Sequence, residues 1–125
     1  DEQLGFVESP SFTADFALTQ VVSHYSLREV ADTLEEADKR GIKLPFVFGV
    51  FLYRSANAKT LARLGDYFPV PAEELTAEFE SGSTADEICA RTIRELRSVG
   101  ADKIYVSNLG FGRVESRLSR VLALV

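Results

Sequence analysis

Methionine is missing from all 125 residues, position 1 included. A translated chain ordinarily begins with one, so Asp1 reads as a cut end and the sequence as a piece of something longer. Cysteine occurs once, as Cys89. A lone thiol excludes an internal disulfide framework and a cysteine-rich zinc site, and it fits a reducing, cytoplasmic setting. Histidine also occurs once, as His24. Without a second histidine or a nearby cysteine, no metal site is expected there. No stretch approaches the ~18 consecutive apolar residues of a membrane span, and no secretory signal pattern is visible. Basic charge is in deficit, 14 Lys and Arg against 19 Asp and Glu for a net charge of −5. Nonspecific binding to nucleic acid or to an anionic membrane is therefore not favoured. The two glycine-rich phosphate-binding patterns, GxGxxG and GxxxxGK[ST], are absent as well.

What is present suits one globular domain spanning residues 1–125, with 46% hydrophobic residues to fill a core. Phe16–Val22 is an apolar run with two adjacent β-branched valines, a strand signal. Ser26 and Glu29 then fit a capping box. Leu27, Val30, Ala31, Leu34 and Ala37 follow at helical spacing, and Gly41 stands where a helix ends. "FVFGVF", Phe46–Phe51, is apolar on both faces, as a parallel strand covered on each side should be. Gly49 inside it allows a close approach by a neighbour or ligand, or simply a kink. Asn57 caps a short helix with Leu61 and Leu64. Pro71 suits a first helical position, with Leu75 and Phe79 one turn apart behind it. Thr84 and Glu87 make a second capping box, ahead of a helix with Ile88, Thr92, Ile93, Leu96 and Val99 inward, closed by Gly100. "KIYVS", Lys103–Ser107, is the third strand. A turn, "NLGFG", leads to a last helix from Arg113.

Strand and helix alternate as βα, βααα, βα, which predicts an α/β fold with a parallel sheet and right-handed crossovers. Three strands cannot close a (β/α)₈ TIM barrel. The chain is either a small open sandwich or part of a barrel, and the missing methionine favours the barrel. Chemistry in such folds gathers at the C-terminal ends of the strands. That rim brings together Gln20, Tyr53 and Ser107, with Arg113 just beyond the third strand and close enough to meet an anionic ligand. Gln20 is the most informative, because a glutamine at the end of an apolar strand needs partners for two donors and an acceptor. The rest reads more plainly. His24 is a turn or surface histidine, with a proton donor at the rim as the alternative. Cys89 is core. The Gly110–Gly112 stretch is a turn, with an anion site as the alternative. Arg113, Arg117 and Arg120 form a solvated or ion-paired stripe. Asp66, Glu73, Glu74, Glu78 and Glu80 form a solvated acidic surface.

The ordered set "ALTQ", "GIKLPFVFGV", "AKTLARL", "VPAEEL" and "TADEICARTIRELRSVGADKIYVSNL" resembles the C-terminal half of the methylenetetrahydrofolate reductase family, from about Ala14 to Leu122. That resemblance implies the last three strands of a flavin-dependent (β/α)₈ barrel. The family reduces methylenetetrahydrofolate with NAD(P)H by way of FAD. Thr19 and Gln20 match the family's Thr-Gln pair, whose glutamine binds the folate pterin. Gly49 matches the glycine of its "PGI" stretch and Leu109 the leucine of its "LNR" turn. The resemblance then implies a folate-type substrate held by Gln20, with Tyr53, Ser107 and Arg113 as further substrate-binding residues. Most FAD contacts would come from a missing N-terminal half, and a homo-oligomer is the alternative to that half as cover for the sheet. Three rim stretches depart from the family pattern: "VVSH" after Thr-Gln, "VFGVFLY" in place of "PGI", and "LGFGR" in place of "LNR". Those departures support a second reading, a divergent non-catalytic barrel fragment that binds a folate-like ligand or a protein partner.

Overall fold

A computed structural model describes residues 2–9 and 13–125. Asp1, read above as a cut end, lies outside the described residues. The elements run α1 (Glu2–Glu8), β1 (Ala17–Val21), α2 (Leu27–Lys39), β2 (Phe46–Phe51), α3 (Ala58–Leu64), α4 (Ala72–Glu80), α5 (Ala85–Ser98), β3 (Ile104–Ser107) and α6 (Val114–Leu124). The fold is α/β. Among the described residues the sheet has three strands in the order β1-β2-β3, and both pairs are parallel. Every predicted element after residue 16 is present in its predicted order. α1 was not anticipated; its Leu4 is buried, and Glu8 pairs with Arg40 at the end of α2 at 3.5 Å.

Each crossover is set by local chemistry. α2 and α5 both end in a left-handed glycine, Gly41 and Gly100. The amides of Ile42 and Ala101 reach back to the carbonyls of Ala37 and Leu96 at 3.0 Å, closing the same terminal motif twice. Each motif turns the chain from a helix into the following strand. At the other end of α5, the Thr84 hydroxyl accepts from the Glu87 amide at 3.2 Å and donates to the Glu87 carboxylate at 3.0 Å. Only half of the predicted box forms there: the Thr84 side chain takes the Glu87 amide, but the carboxylate takes the Thr84 hydroxyl in place of the Thr84 amide. Asn57 caps α3 through the Thr60 amide. The box predicted at Ser26 does not form: Ser26 Oγ accepts from the Ser23 amide and donates to the Ser23 carbonyl, each at 3.0 Å. A serine faced with two nearby backbone groups satisfies the preceding turn before the helix. Pro71 sits one residue earlier than predicted, at the cap position of α4.

The sheet is covered unequally. Phe48, Val50 and Leu52 point to one face, where they meet Val30 of α2, Ala90, Ile93 and Leu96 of α5, and Val121 of α6. Cys89 is in this core, as predicted, and burial pushes its thiol up to about 11. On the opposite face, cover gathers at the C-terminal end, where Phe51 and Tyr53 pack with Leu61, Leu75 and Ile88. Further back the face is open, with Leu18 61% exposed. The expectation of strands covered on both sides therefore holds only in part.

Candidate functional site

The Thr-Gln pair occupies a break in the β1–β2 ladder. Leu18 pairs with Val47 and Val21 with Gly49, so Thr19 and Gln20 together oppose the single residue Phe48. That is a β-bulge, a device that re-aims side chains beside functional sites. The Thr19 hydroxyl and the carbonyls of Thr19 and Gln20 are all engaged. The Tyr105 hydroxyl donates to the Thr19 carbonyl at 2.7 Å. The Thr19 hydroxyl accepts from the Gly49 amide at 3.2 Å and donates to the Gln20 carbonyl at 2.8 Å. Pairing resumes with the Val22 amide on the Gly49 carbonyl at 2.8 Å. Threonine thus has a definite task, to stand in for the missing ladder bond with its side chain.

Gln20 projects from this bulge and is exposed. Its amide nitrogen makes one long bond to the Tyr67 carbonyl at 3.4 Å, and its side-chain oxygen takes no bond among the described residues. It lines an open groove of about 890 Å³ along β1, between α2 and the Pro69–Pro71 stretch. The walls mix apolar side chains such as Val22 and Phe46 with hydroxyls of Ser23 and Tyr25 and carboxylates of Glu29 and Glu74; among the described residues no Lys or Arg lines it. A neutral heterocycle with a donor–acceptor edge fits such a lining. The pyrophosphate of FAD does not, since it would face two carboxylates with no cation to pair it.

The other three predicted site residues do not join Gln20 on this groove. Tyr53 is buried among Leu61, Leu75 and Ile88, with its ring 4.9 Å from Phe51. Its hydroxyl has no partner among the described residues, and burial pushes the phenol up to about 12. Ser107 is half-buried opposite Phe51, its hydroxyl 3.5 Å from the Val50 carbonyl. Arg113 is exposed and left-handed at the start of α6, its side chain without a partner among the described residues. The turn ahead of α6 is stitched at Asn108 to the stretch that follows β2: Asn108 donates to the Leu52 carbonyl at 2.9 Å, and Arg54 donates to the Asn108 carbonyl at 3.2 Å. Arg117 and Arg120 both reach Asp86 on α5, at 3.5 and 3.4 Å, the ion-paired form of the predicted stripe.

His24 is not a surface histidine. It is 7% exposed, with Nδ1 2.8 Å from the Thr92 hydroxyl and Nε2 2.8 Å from the Glu78 carboxylate. Thr92 spends its own proton on the Ile88 carbonyl, so it accepts from the histidine. Both ring nitrogens donate when His24 carries its second proton, and each then has an acceptor. Glu78 also takes the Tyr25 hydroxyl and the Arg91 guanidinium. Burial pushes its carboxyl up, but the bonds from Tyr25, His24 and Arg91 outweigh this and hold it below the ordinary carboxylate value. Glu78 is thus a half-buried hub and not part of a solvated acidic surface. A sequence signal existed: Glu78 lies three residues after Leu75, on the apolar side of α4.

Among the described residues no group of three or more His, Cys, Asp or Glu is placed to hold a metal ion, and no helix is long and apolar enough to cross a membrane. No protein-family model, curated protein or solved structure matches the chain.

Proposed function

We propose that the chain is the folate-side part of a methylenetetrahydrofolate reductase-like oxidoreductase, its three strands belonging to a (β/α)₈ barrel of a cytoplasmic protein. The observation that carries this reading is Gln20 on its bulge. It is the one predicted site residue that lines the groove, and most of its carboxamide is uncommitted. A carboxamide presents one acceptor beside one donor, the complement of the lactam edge of a pterin. The reaction that the family resemblance implies is hydride transfer from NAD(P)H through FAD to the folate. The groove's acidic lining does not suit FAD, so in this reading the flavin is held by residues outside this chain. Flavin chemistry asks the protein for orientation and electrostatics, and the cofactor supplies the difficult step. The role left to these residues is to hold and orient the substrate heterocycle.

Titrating the chain with 5-methyltetrahydrofolate tests the reading. The wild type should bind, and Gln20→Ala should weaken binding about three- to tenfold, the worth of roughly one hydrogen bond. The melting temperature should hardly move, because the side chain gives up only its long contact with Tyr67. A melting point several degrees lower with unchanged affinity would sink the assignment. On this reading a protein holding the whole barrel should purify yellow and bleach with NAD(P)H; a colourless one leaves the second reading, a barrel that binds a folate-like ligand without redox chemistry. That reading draws on Tyr53, Ser107 and Arg113 lying away from the groove.

A further inference from the structure

We infer that Tyr105 is a positioning residue for Gln20: its hydroxyl, reaching from β3 across β2 to the Thr19 carbonyl, holds the bulge that presents the glutamine to the groove. The inference rests on the reading of Gln20 as the ligand-binding group. Tyr105 and Thr19 lie on strands that are not neighbours, since β2 separates them. A side chain on β3 can cross β2 only where β2 has none, and the register partner of Tyr105 is Gly49. A Cβ built at Gly49 would lie 2.5 Å from the Tyr105 hydroxyl and 2.6 Å from the ring carbon that carries it. Glycine at 49 is therefore required by the tyrosine, not by backbone conformation.

The bond stabilises the bulge against two alternatives. Without the extra residue Gln20 would fall opposite Gly49, and Val22, now packed against the core, would turn to the other face. With the bulge but no donor, the Thr19 carbonyl would be a backbone acceptor left out of the ladder. The phenol meets both needs at 2.7 Å. Because core packing of Val22 holds the strand register, losing the hydroxyl should loosen the bulge locally and leave the fold in place. Gln20 would then sample orientations that do not meet a ligand.

A double-mutant cycle tests this, with 5-methyltetrahydrofolate as the probe and the 125-residue chain as the protein. Tyr105→Phe keeps the ring and should weaken binding about three- to tenfold. In a Gln20→Ala background the same change should cost nothing further, because the tyrosine acts through the glutamine. Amide exchange at Gly49, whose N–H bonds Thr19, should quicken in Tyr105→Phe, and Thr19→Ser, which keeps the hydroxyl, should bind as the wild type does. If Tyr105→Phe does not fold, Gly49→Ala, whose Cβ would crowd the place where the Tyr105 hydroxyl now lies, enters the same cycle with the same expectation. Unchanged affinity in Tyr105→Phe, unchanged exchange at Gly49, or losses that add fully to those of Gln20→Ala each overturn the inference while leaving the ligand reading standing. A wild-type chain that binds no folate overturns the ligand reading instead, and this inference with it.

Discussion

Glu78 shows how much of this molecule turns on single polar residues. One carboxylate joins the β1–α2 turn, through His24 and Tyr25, to α5 through Arg91. Its side chain is 12% exposed, so the bonds are only partly screened. Charged hydrogen bonds of this kind contribute more than neutral ones, and Glu78→Gln should cost about 1–3 kcal/mol at neutral pH. The sign of the pH dependence follows from the direction of the shift. Since the folded carboxyl titrates below its ordinary value of 4.5, the unfolded chain takes up its proton first on acidification. The stabilisation is complete above the unfolded value and is lost as pH falls through the folded one. Thermal melts from about pH 7 to about pH 3 should show wild type and Glu78→Gln converging at the acid end. A gap that stays constant across that range would show that the carboxylate charge is not what matters. None of this was legible from the acidic residues as a set. Asp66, Glu73, Glu74 and Glu80 share its composition, but only Glu78 follows Leu75 by the three residues that turn it inward.

At the scale of elements, the sequence patterns were reliable where one physical cause acts locally. Helical spacing located α2 and α5, because an amphipathic face needs only the chain's own periodicity. Apolar runs located the strands, and Gly41 and Gly100 marked the turns into β2 and β3. The bulge at Thr19 and Gln20 was not legible, because an inserted residue alters pairing with β2 and leaves the apolar pattern of β1 unchanged. Tyr105 could not be tied to Thr19 either, as their contact depends on which strands are neighbours. Capping divides the same way. Thr84 and Asn57 each accept from an amide three residues ahead, and alanine at either should cost about 0.5–2 kcal/mol. Amide exchange should quicken in the first turn of α5 for Thr84→Ala and of α3 for Asn57→Ala. Ser26→Ala should leave the first turn of α2 unchanged and loosen the turn at Ser23, which its hydroxyl bonds twice. Faster exchange confined to the first turn of α2 would restore the capping box that the geometry denies.

At the scale of the whole molecule, surface decides. The chain exposes 8028 Å², against roughly 6,600 Å² expected for a folded monomer of 13.8 kDa. The excess, on the order of 1,400 Å², exceeds what one partner gives to a standard interface. The topology leaves two open edges as one source of it. β1 and β3 each have one neighbouring strand, so each leaves an edge open among the described residues. Phe16 and Leu18 stand 53% and 61% exposed at the β1 edge. An edge with unpaired backbone groups and apolar side chains templates further pairing. The net charge of −5 opposes self-association, and salt screens that repulsion within about 8–10 Å at physiological strength. We therefore expect concentration-dependent association in sedimentation velocity, stronger in 0.5 M salt (about a 4 Å screening length) than at low salt. Leu18→Lys should weaken it at least about tenfold, since the change forfeits roughly 1.5–3 kcal/mol of apolar burial and sets a charge on the edge. A single monomeric boundary at every concentration and salt, with a sharp thermal transition, would mean that three strands and their helices are sufficient cover for one another.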